Sequence, residues 1–238
     1  MAVFKIWKPV GLTPLEAVKR LQQIRPDLGG VKLTYAGRLD PLALGVMIIL
    51  SAGDIKDKEQ FLVLPKTYEV EILLGAATDS GDVLGLSTKV VKPEIVSLER
   101  VAMATRSLVG KRRQTAPRYS APGLDGKVFT RSVEIKSVAV GERQMILAEA
   151  LLKLIEEKIF LVMGDFRQAE ILAGWQRELK RWSSCNFPVI PLTIECSSGT
   201  YVRLLARELG RQLELPALAL HIKRIKVGEI TESDCVKV

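Results

Sequence analysis

The sequence contains little of what many catalytic and metal-binding sites require. It has one histidine, His221, and three scattered cysteines, Cys185, Cys196 and Cys235, among 238 residues. A histidine-rich metal site is excluded because there is no second imidazole, and the cysteines lack the spacing of metal ligands. We expect His221 to be a packed or surface residue beside a strand. The odd, scattered cysteines are typical of a reducing compartment, which predicts a cytoplasmic protein.

Long apolar runs are also missing. None reaches the roughly 18–20 residues that a helix needs to cross a bilayer, and the opening MAVFKIWKPVG has no apolar segment typical of a signal peptide. Gly126 and Lys127 match part of a phosphate-binding loop, but Ala121 and Val128 occupy positions that require glycine and serine or threonine. We therefore predict no membrane association, no nucleotide cofactor and no metal.

Positive charge is in excess. The chain has 35 Lys and Arg residues against 27 Asp and Glu residues, a formal net charge of +8. This balance suits a protein that binds nucleic acid, although modest positive charge is also common in other soluble proteins. The length allows a sizeable core, and we expect residues 1–238 to form one domain.

Asp40 is the most informative single residue. It lies in the run LTYAGRLDPLALGV (33–46), just before the apolar run Val46–Leu50, which is typical of a buried strand. Pro41 favours an extended backbone at Asp40, and Gly37 can bring the backbone close to a ligand. Asp40 is therefore expected on a stiff turn that faces a pocket. The alternative is an ordinary Asp-Pro turn.

The remaining pattern mixes helices and strands without regular alternation, which predicts an α+β fold. Thr13, Pro14 and Glu16 form a capping box with proline at the first helical position, so a helix begins there. Other helices are predicted at 54–63, 97–109, 142–158 and 166–182, and from a cap at Thr200 to about Leu213. Strands are predicted at 68–74, at 192–196 and around 225–227 by alternating apolar residues.

Six blocks of the sequence, in order, resemble the TruB family of tRNA pseudouridine synthases. They are KPVGLTPLEAV (8–18), the Asp40 run, KTYEVEILLGAATDSGDVLG (66–85), APRYSAPGLDGKVF (116–129), CSSGTYVRLLARELG (196–210) and IKRIKVG (222–228). One block alone would be weak evidence, whereas six cover most of the chain. The resemblance implies a pseudouridine-synthase-like catalytic fold with a central mixed, largely antiparallel sheet flanked by helices.

The resemblance also implies site residues. Asp40 matches the family's catalytic aspartate and is the expected nucleophile, Arg203 matches the arginine that pairs with it, and Tyr68 matches the active-site tyrosine. A planar guanidinium is suited to hold both oxygens of a carboxylate. The expected substrate-binding residues are Tyr35, Lys66, Tyr201 and Ile222.

The sequence departs from the family pattern at several positions. Tyr35 stands where the family has His, Gly123 where it has Lys, and Phe129 where it has Tyr. A tyrosine can stack on a displaced base but offers no imidazole, so the change at Tyr35 concerns the flipping of the base rather than the nucleophile.

The stretch before Cys196 is longer than in the family, and residues 140–185 are predicted to be a helical insertion. Its basic residues allow two interpretations, a solvated helical pair packed on the body or an RNA-facing insertion. We expect no C-terminal PUA-type RNA-binding domain. A second basic group, around the YSA block, suits phosphate contacts: Lys111, Arg112, Arg113, Arg118, Lys127 and Arg131.

The resemblance implies a monomeric, cofactor-free isomerase that converts uridine 55 in the T-arm of tRNA to pseudouridine. Two alternatives stay open. One is a catalytically silent RNA-binding or tRNA-folding protein on the same fold, and the other is a synthase for a different uridine. The presence of Asp40, Tyr68 and Arg203 together argues against the silent protein, since binding alone does not need this trio.

Overall fold

The computed structural model describes residues 2–51, 58–116 and 129–238. Strands and helices follow one another irregularly, which confirms the α+β class. The strands are β1 (Val3–Lys8), β2 (Leu33–Ala36), β3 (Ala43–Ser51), β4 (Lys66–Leu74), β5 (Ala76–Thr78), β6 (Ser87–Val90), β7 (Gly110–Thr115), β8 (Thr130–Val140), β9 (Gln144–Leu147), β10 (Asn186–Cys196), β11 (Ala217–Val227) and β12 (Val236–Lys237). The α-helices are α1 (Pro14–Ile24), α2 (Lys58–Leu62), α3 (Leu98–Arg106), α4 (Ala148–Phe160), α5 (Gln168–Lys180) and α6 (Val202–Leu213).

Ten strands form one sheet in the order β12-β1-β3-β11-β4-β10-β8-β7, with β2 paired to β3 and β9 paired to β10. The pairs β1–β12 and β3–β11 are parallel, and the other pairs in this sheet are antiparallel. The sheet is therefore mixed and largely antiparallel, as predicted. Strands β5 and β6 form a separate hairpin, and residues 79–86, which join them, are called the 79–86 turn below.

Strand β4 lies in the middle of the sheet between β10 and β11. The alternation of Tyr68, Val70, Ile72 and Leu74 predicted one buried face, and all four side chains are buried. The register places Tyr68 directly opposite Arg224 on β11. A central strand with both edges paired is a rigid support for a functional side chain.

Residues 37–42, which join β2 to β3, are called the Asp40 turn below. Strand β3 confirms the strand predicted from the run Val46–Leu50, which is fully buried. Gly45 within it has φ +121°, and a Cβ there would lie 2.2 Å from the backbone oxygen of Arg224. Glycine is therefore required where β3 runs beside β11. This close approach brings the Asp40 turn against β11.

Helices cover both faces of the sheet. Side chains of α1, α3 and α6 share a buried cluster with Ile72 and Ala219, whereas α4 and α5 share another with Leu73 and Leu218. Successive strand residues point to opposite faces, so the two helical layers lie on opposite sides. The helical pair predicted within 140–185 is the layer formed by α4 and α5.

The predicted start of α1 is confirmed in detail. The backbone N–H of Glu16 donates to Oγ1 of Thr13 at 3.3 Å, and the N–H of Thr13 donates to Oε2 of Glu16 at 2.7 Å. Pro14 occupies the first turn, and the helix buries Ala17 and Leu21 against the sheet. The capping box thus fixes the residue at which the loop after β1 ends and α1 begins.

Two local predictions are wrong. The range 142–158 was predicted to be helical throughout, but Gln144–Leu147 form β9, paired with β10, and α4 begins after it. A short apolar run has no clear period, so tertiary pairing decides its structure. Thr200 was predicted to cap α6, but its hydroxyl donates to the carbonyl of Ser197 at 2.9 Å, and Tyr201 occupies the cap position.

The other predicted helices are found at shorter lengths. Helix α3 lies within 97–109, and Gly110, with φ +107°, begins the next strand. Helix α5 lies within 166–182. Helix α2 occupies part of 54–63, of which 54–57 lie outside the described residues. None of the helices in the described ranges is long and apolar enough to cross a membrane.

Candidate active site

A cavity of about 630 Å³ opens beside the Asp40 turn. The residues with a predicted site role all line it, although they are far apart in the sequence. They are Tyr35, Asp40, Lys66, Tyr68, Tyr201, Arg203 and Ile222. The fold thus brings the predicted catalytic and substrate-binding residues into one pocket.

The turn that carries Asp40 is fixed through its backbone. The carbonyl of Asp40 accepts from the N–H of Ala43 at 3.0 Å, and the carbonyl of Pro41 accepts from the N–H of Gly11 at 2.9 Å. The side chain of Asp40 is 38% exposed. A stiff backbone therefore presents a carboxylate that a substrate in the cavity can reach.

Arg203, at the start of α6, joins Asp40 to a second carboxylate. Its Nε lies 2.9 Å from Oδ2 of Asp40, and its Nη1 lies 3.3 Å from Oδ2 of Asp82. The Nη1 also donates to the carbonyl of Ser80 at 3.1 Å. The pairing with Asp40 was predicted, whereas the sharing of the guanidinium with Asp82 was not.

Asp82 is held inside the 79–86 turn. Its Oδ1 accepts from Oγ of Ser80 at 2.7 Å and from the N–H of Leu84 at 3.1 Å, and its carbonyl accepts from Oγ1 of Thr78 at 2.6 Å. All three contacts are buried. Asp82 therefore presents its other oxygen to Arg203 in a defined direction.

Burial and neighbouring charges set the protonation of these groups. Burial alone would lower the pKa of Arg203, but Asp40 and Asp82 outweigh it and raise the pKa above its ordinary value. Burial raises the pKa of Asp82, and Arg203 opposes that effect. Burial also raises the pKa of Tyr68, against the opposing effect of Arg224, so the phenol is neutral at neutral pH.

Arg224 is a buried cation that sequence reasoning missed. It is 1% exposed, and its guanidinium donates to the carbonyls of Val46 at 2.7 Å, Arg38 at 3.2 Å and Gly37 at 3.0 Å. It also lies opposite Tyr68 in the pairing of β11 with β4. Arg224 thus connects β11 to the start of the Asp40 turn.

Lys8 secures the other side of the same turn and was also missed. It is fully buried, and its ammonium donates to the carbonyls of Pro9 at 2.8 Å, Leu12 at 2.7 Å and Pro41 at 3.3 Å. Burial lowers the pKa of Lys8 to about 7, and Asp40 opposes that shift. Its position beside Asp40 adds positive charge behind that carboxylate.

Two aromatic residues lie in the cavity wall near basic side chains. The ammonium of Lys58 is 5.9 Å from the ring centre of Tyr35, and the guanidinium of Arg131 is 5.2 Å from that of Tyr201. The backbone of Tyr201 is held by the buried side chain of Gln114 through bonds of 2.8 and 3.3 Å. These contacts orient rings on which a base can stack.

Lys66 lines the cavity, but its ammonium donates hydrogen bonds to backbone carbonyls of the protein. It donates to the carbonyl of Leu62 at 2.7 Å and to that of Leu64 at 2.6 Å, and burial lowers the pKa of Lys66 to about 8. These bonds tie β4 to the end of α2. The substrate-binding role expected for Lys66 from the resemblance stays a prediction.

The basic residues around the YSA block do not act as one group. Arg118 and Lys127 lie outside the described residues. Arg112 is paired with Glu208 at 2.7 Å, whereas Arg131 reaches the cavity. The exposed members Lys111 and Arg113 lie on β7, at an edge of the sheet.

The geometry and the comparisons with known proteins agree. Residues 22–162 match the family described as TruB family pseudouridylate synthase (N terminal domain). The chain belongs to the TruB family. The matched range of this TruB-family chain includes Asp40, Tyr68 and Asp82, and the family predicted from the six blocks is confirmed.

Curated relatives extend the TruB likeness over nearly the whole chain. The tRNA pseudouridine synthase B of Phocaeicola vulgatus is 30% identical over 235 residues, which cover 97% of this chain and 87% of the relative. The tRNA pseudouridine synthase B of Protochlamydia amoebophila is 32% identical over 237 residues, covering 98% and 77% respectively. These alignments continue past residue 162 and so extend into the region that contains Arg203 and Arg224.

A solved structure confirms the fold of this TruB-family chain. The crystal structure of a Cbf5-Nop10-Gar1 complex matches with a TM-score of 0.64 at 17% identity, covering 99% of this chain. The chain spans about half the length, 52%, of that solved chain. At this identity the likeness concerns the fold alone.

The missed residues had a signal in the sequence. Lys8, Asp82 and Arg224 each lie inside one of the six blocks that resemble the TruB family. Each is a charged residue close to strands that are otherwise rich in apolar residues. A charge in such a position is costly unless it is paired, which is the property that could have marked all three.

Proposed function

We propose that this protein is a tRNA pseudouridine synthase that isomerises uridine 55 in the T-arm of tRNA, with Asp40 as the nucleophile. The observation that carries the proposal is the ion pair of Asp40 with Arg203 at 2.9 Å, in a cavity that Tyr68 also lines. The names of the tRNA pseudouridine synthase B relatives support tRNA as the substrate.

The reaction requires no redox step. The N1–C1′ bond breaks, the base rotates, a C5–C1′ bond forms, C5 releases a proton and N1 gains one. Asp40 can act by attack on the sugar or by abstraction of a proton, and both roles require an ionised carboxylate. The guanidinium of Arg203, with Nε 2.9 Å from Oδ2 of Asp40, gives the carboxylate a positive partner. Tyr68, a neutral phenol, supports the base and can relay a proton near C5.

The cavity has the features that a flipped nucleotide requires. A base in a folded loop must leave its stack before chemistry, and the rings of Tyr35 and Tyr201 can hold it at roughly 1–3 kcal/mol per stacked base. Arg38, Lys58 and Arg131 also line the cavity. Their charge suits the phosphates on either side of the target uridine.

The direct test is to incubate the purified protein with an unmodified tRNA transcript and to map pseudouridine by chemical labelling and sequencing. We expect one new pseudouridine, at position 55. A transcript with uridine 55 replaced by cytidine is the matched control and should gain none. Pseudouridine at another position would support a synthase for a different uridine. Tight tRNA binding without any pseudouridine would support the silent RNA-binding protein.

A further inference from the structure

The hairpin of α4, α5 and the residues between them contacts the turn that carries Asp82. Nε1 of Trp175, a fully buried residue of α5, donates to the carbonyl of Val83 at 3.1 Å. Arg167, just before α5, lies with Nη2 3.4 Å from Oδ2 of Asp79. The hairpin therefore contacts the 79–86 turn on both sides of Asp82.

Lys158 of α4 supports the strand on which this turn rests. The pairing of β11 with β4 shifts register between Ala219 and His221, and Leu220 lies within that irregularity. The ammonium of Lys158 donates to the carbonyl of Leu220 at 2.6 Å. The N–H of Ala219 donates to the carbonyl of Gly81 at 2.9 Å. Lys158 thus stabilises the irregular segment of β11 that binds the 79–86 turn.

The same hairpin reaches the other side of the site. The N–H of Met163 donates to the carbonyl of Gly11 at 3.2 Å, while the N–H of Gly11 donates to the carbonyl of Pro41 at 2.9 Å. A Cβ at Gly11 would lie 2.2 Å from the backbone oxygen of Leu161. The backbone after α4 is therefore packed directly on the loop that holds the Asp40 turn.

We infer that the α4–α5 hairpin positions the ion-paired side chains of Asp82, Arg203 and Asp40. Trp175 and Lys158 are then positioning residues for the reaction proposed above. The hairpin fixes the 79–86 turn, and the turn fixes the carboxylate of Asp82. Asp82 in turn pairs with Nη1 of Arg203, whose Nε lies 2.9 Å from Oδ2 of Asp40. The catalytic part of this inference rests on the proposed function, whereas the structural part does not.

The basic residues of the hairpin fit this role. Lys158 and Arg167 bind other parts of the protein, as does Arg143, which precedes the hairpin and donates to the carbonyl of Val96 at 2.7 Å. Arg177 and Arg181 each lie next to Glu178, at 3.4 and 3.2 Å. The buried and half-buried cations Lys158 and Arg167 thus bind the body of the protein.

The chain offers a matched pair of variants. Trp175→Phe removes the indole N–H that holds the 79–86 turn but keeps an aromatic ring in the core. Trp182→Phe makes the same change nearby, where the buried Nε1 has no hydrogen-bond partner among the described residues. A misplacement of catalytic groups by about 1 Å can cost roughly a hundredfold in rate.

We expect Trp175→Phe to lower kcat on tRNA roughly tenfold with an unchanged KM, and Trp182→Phe to match the wild type. Lys158→Met should behave like Trp175→Phe. An unchanged kcat in both Trp175→Phe and Lys158→Met would overturn the inference, as would an equal loss in Trp182→Phe.

A double-mutant cycle tests the route through Asp82. In an Asp82→Asn background the turn no longer presents a carboxylate to Arg203, so Trp175→Phe should cause little further loss of kcat. Losses that multiply in the double variant would show that Trp175 acts independently of Asp82, which contradicts the proposed chain of contacts.

Hydrogen exchange separates the inference from the proposed function. The amides of Gly81, Asp82 and Leu84 should exchange several-fold faster in Trp175→Phe than in the wild type, and at wild-type rates in Trp182→Phe. Unchanged exchange in Trp175→Phe would overturn the positioning role. If exchange is faster in Trp175→Phe but the wild-type protein makes no pseudouridine, the proposed function is contradicted and the structural role of the hairpin stands.

Discussion

At the residue scale, the site is built from buried charges that share a few well-placed partners. Asp40, Tyr68 and Arg203 could be predicted because they lie in recognisable motifs. The roles of Arg224 and Lys8 could not, because both bind backbone carbonyls from distant segments. Such partners become known only when the fold brings them together.

Arg203 should not be replaceable by lysine. An ammonium is a point charge and cannot contact Asp40, Asp82 and the carbonyl of Ser80 with the geometry of a guanidinium. Loss of one charge-assisted hydrogen bond, about 1.5–3 kcal/mol, corresponds to a roughly ten- to hundredfold lower rate. We expect single-turnover rates to fall by this amount in Arg203→Lys and further in Arg203→Ala. A fully active Arg203→Lys would show that the shared guanidinium is not required.

Lys8 should make stability depend on pH. Burial lowers its pKa from 10.5 to about 7 in the folded protein. Below about pH 7 both states are protonated, and the full cost of the buried charge is present. Between about pH 7 and 10.5 the unfolded state holds more protons, so the free energy of unfolding rises with pH.

Lys8→Met should remove that contribution. Urea unfolding of both proteins at pH 7 and pH 9 should show a rise that is smaller in the variant by roughly 1–2 kcal/mol. Comparison of the two rises cancels the titration of other groups. Equal rises would mean that Lys8 titrates with an ordinary pKa.

At the element scale, the sequence predicts strands with clear alternation and helices with clear caps. Strand β4 and helix α1 were found as predicted because burial and capping are local properties. Strand β9 was not predicted, because Gln144–Leu147 become a strand only through pairing with β10. The requirement for glycine at position 45 likewise arises from a neighbouring strand, β11.

Two glycine variants test this dependence. Gly45→Ala places a Cβ 2.2 Å from the oxygen of Arg224 at φ +121°, so we expect a loss of about 2 kcal/mol or more in the free energy of unfolding. Gly174→Ala, in helix α5, meets nothing within 4 Å and should stabilise by roughly 0.4–1 kcal/mol. Equal effects of the two substitutions in urea unfolding would contradict the account of Gly45.

At the scale of the whole molecule, strands β2, β4 and β11 of the sheet carry site residues, and two helical layers cover the faces of the sheet. The family and the largely antiparallel sheet could be predicted from six blocks in order. The use of the α4–α5 hairpin could not, since its basic residues allowed both a structural and an RNA-facing interpretation. Contacts of Trp175 and Lys158 with the body now favour the structural one.

RNA binding should depend on the cations of the cavity rather than on those of α5. Replacing Arg38, Lys58 and Arg131 together by alanine should weaken tRNA binding and lower the log–log slope against salt concentration by roughly two. The matched triple variant replaces Arg177, Lys180 and Arg181 and should change the slope little, because Arg177 and Arg181 are both paired with Glu178. A larger slope change in the α5 variant would reverse this assignment.

Asp40→Asn is the most direct test of the central claim, that the carboxylate paired with Arg203 performs the chemistry. The substitution keeps the size of the side chain and removes its charge, so the variant should fold, bind tRNA with near wild-type affinity and form no pseudouridine at position 55. The measurement is pseudouridine mapping after prolonged incubation with excess variant, beside a mock preparation. Pseudouridine above the mock level would contradict the assignment of Asp40 as nucleophile.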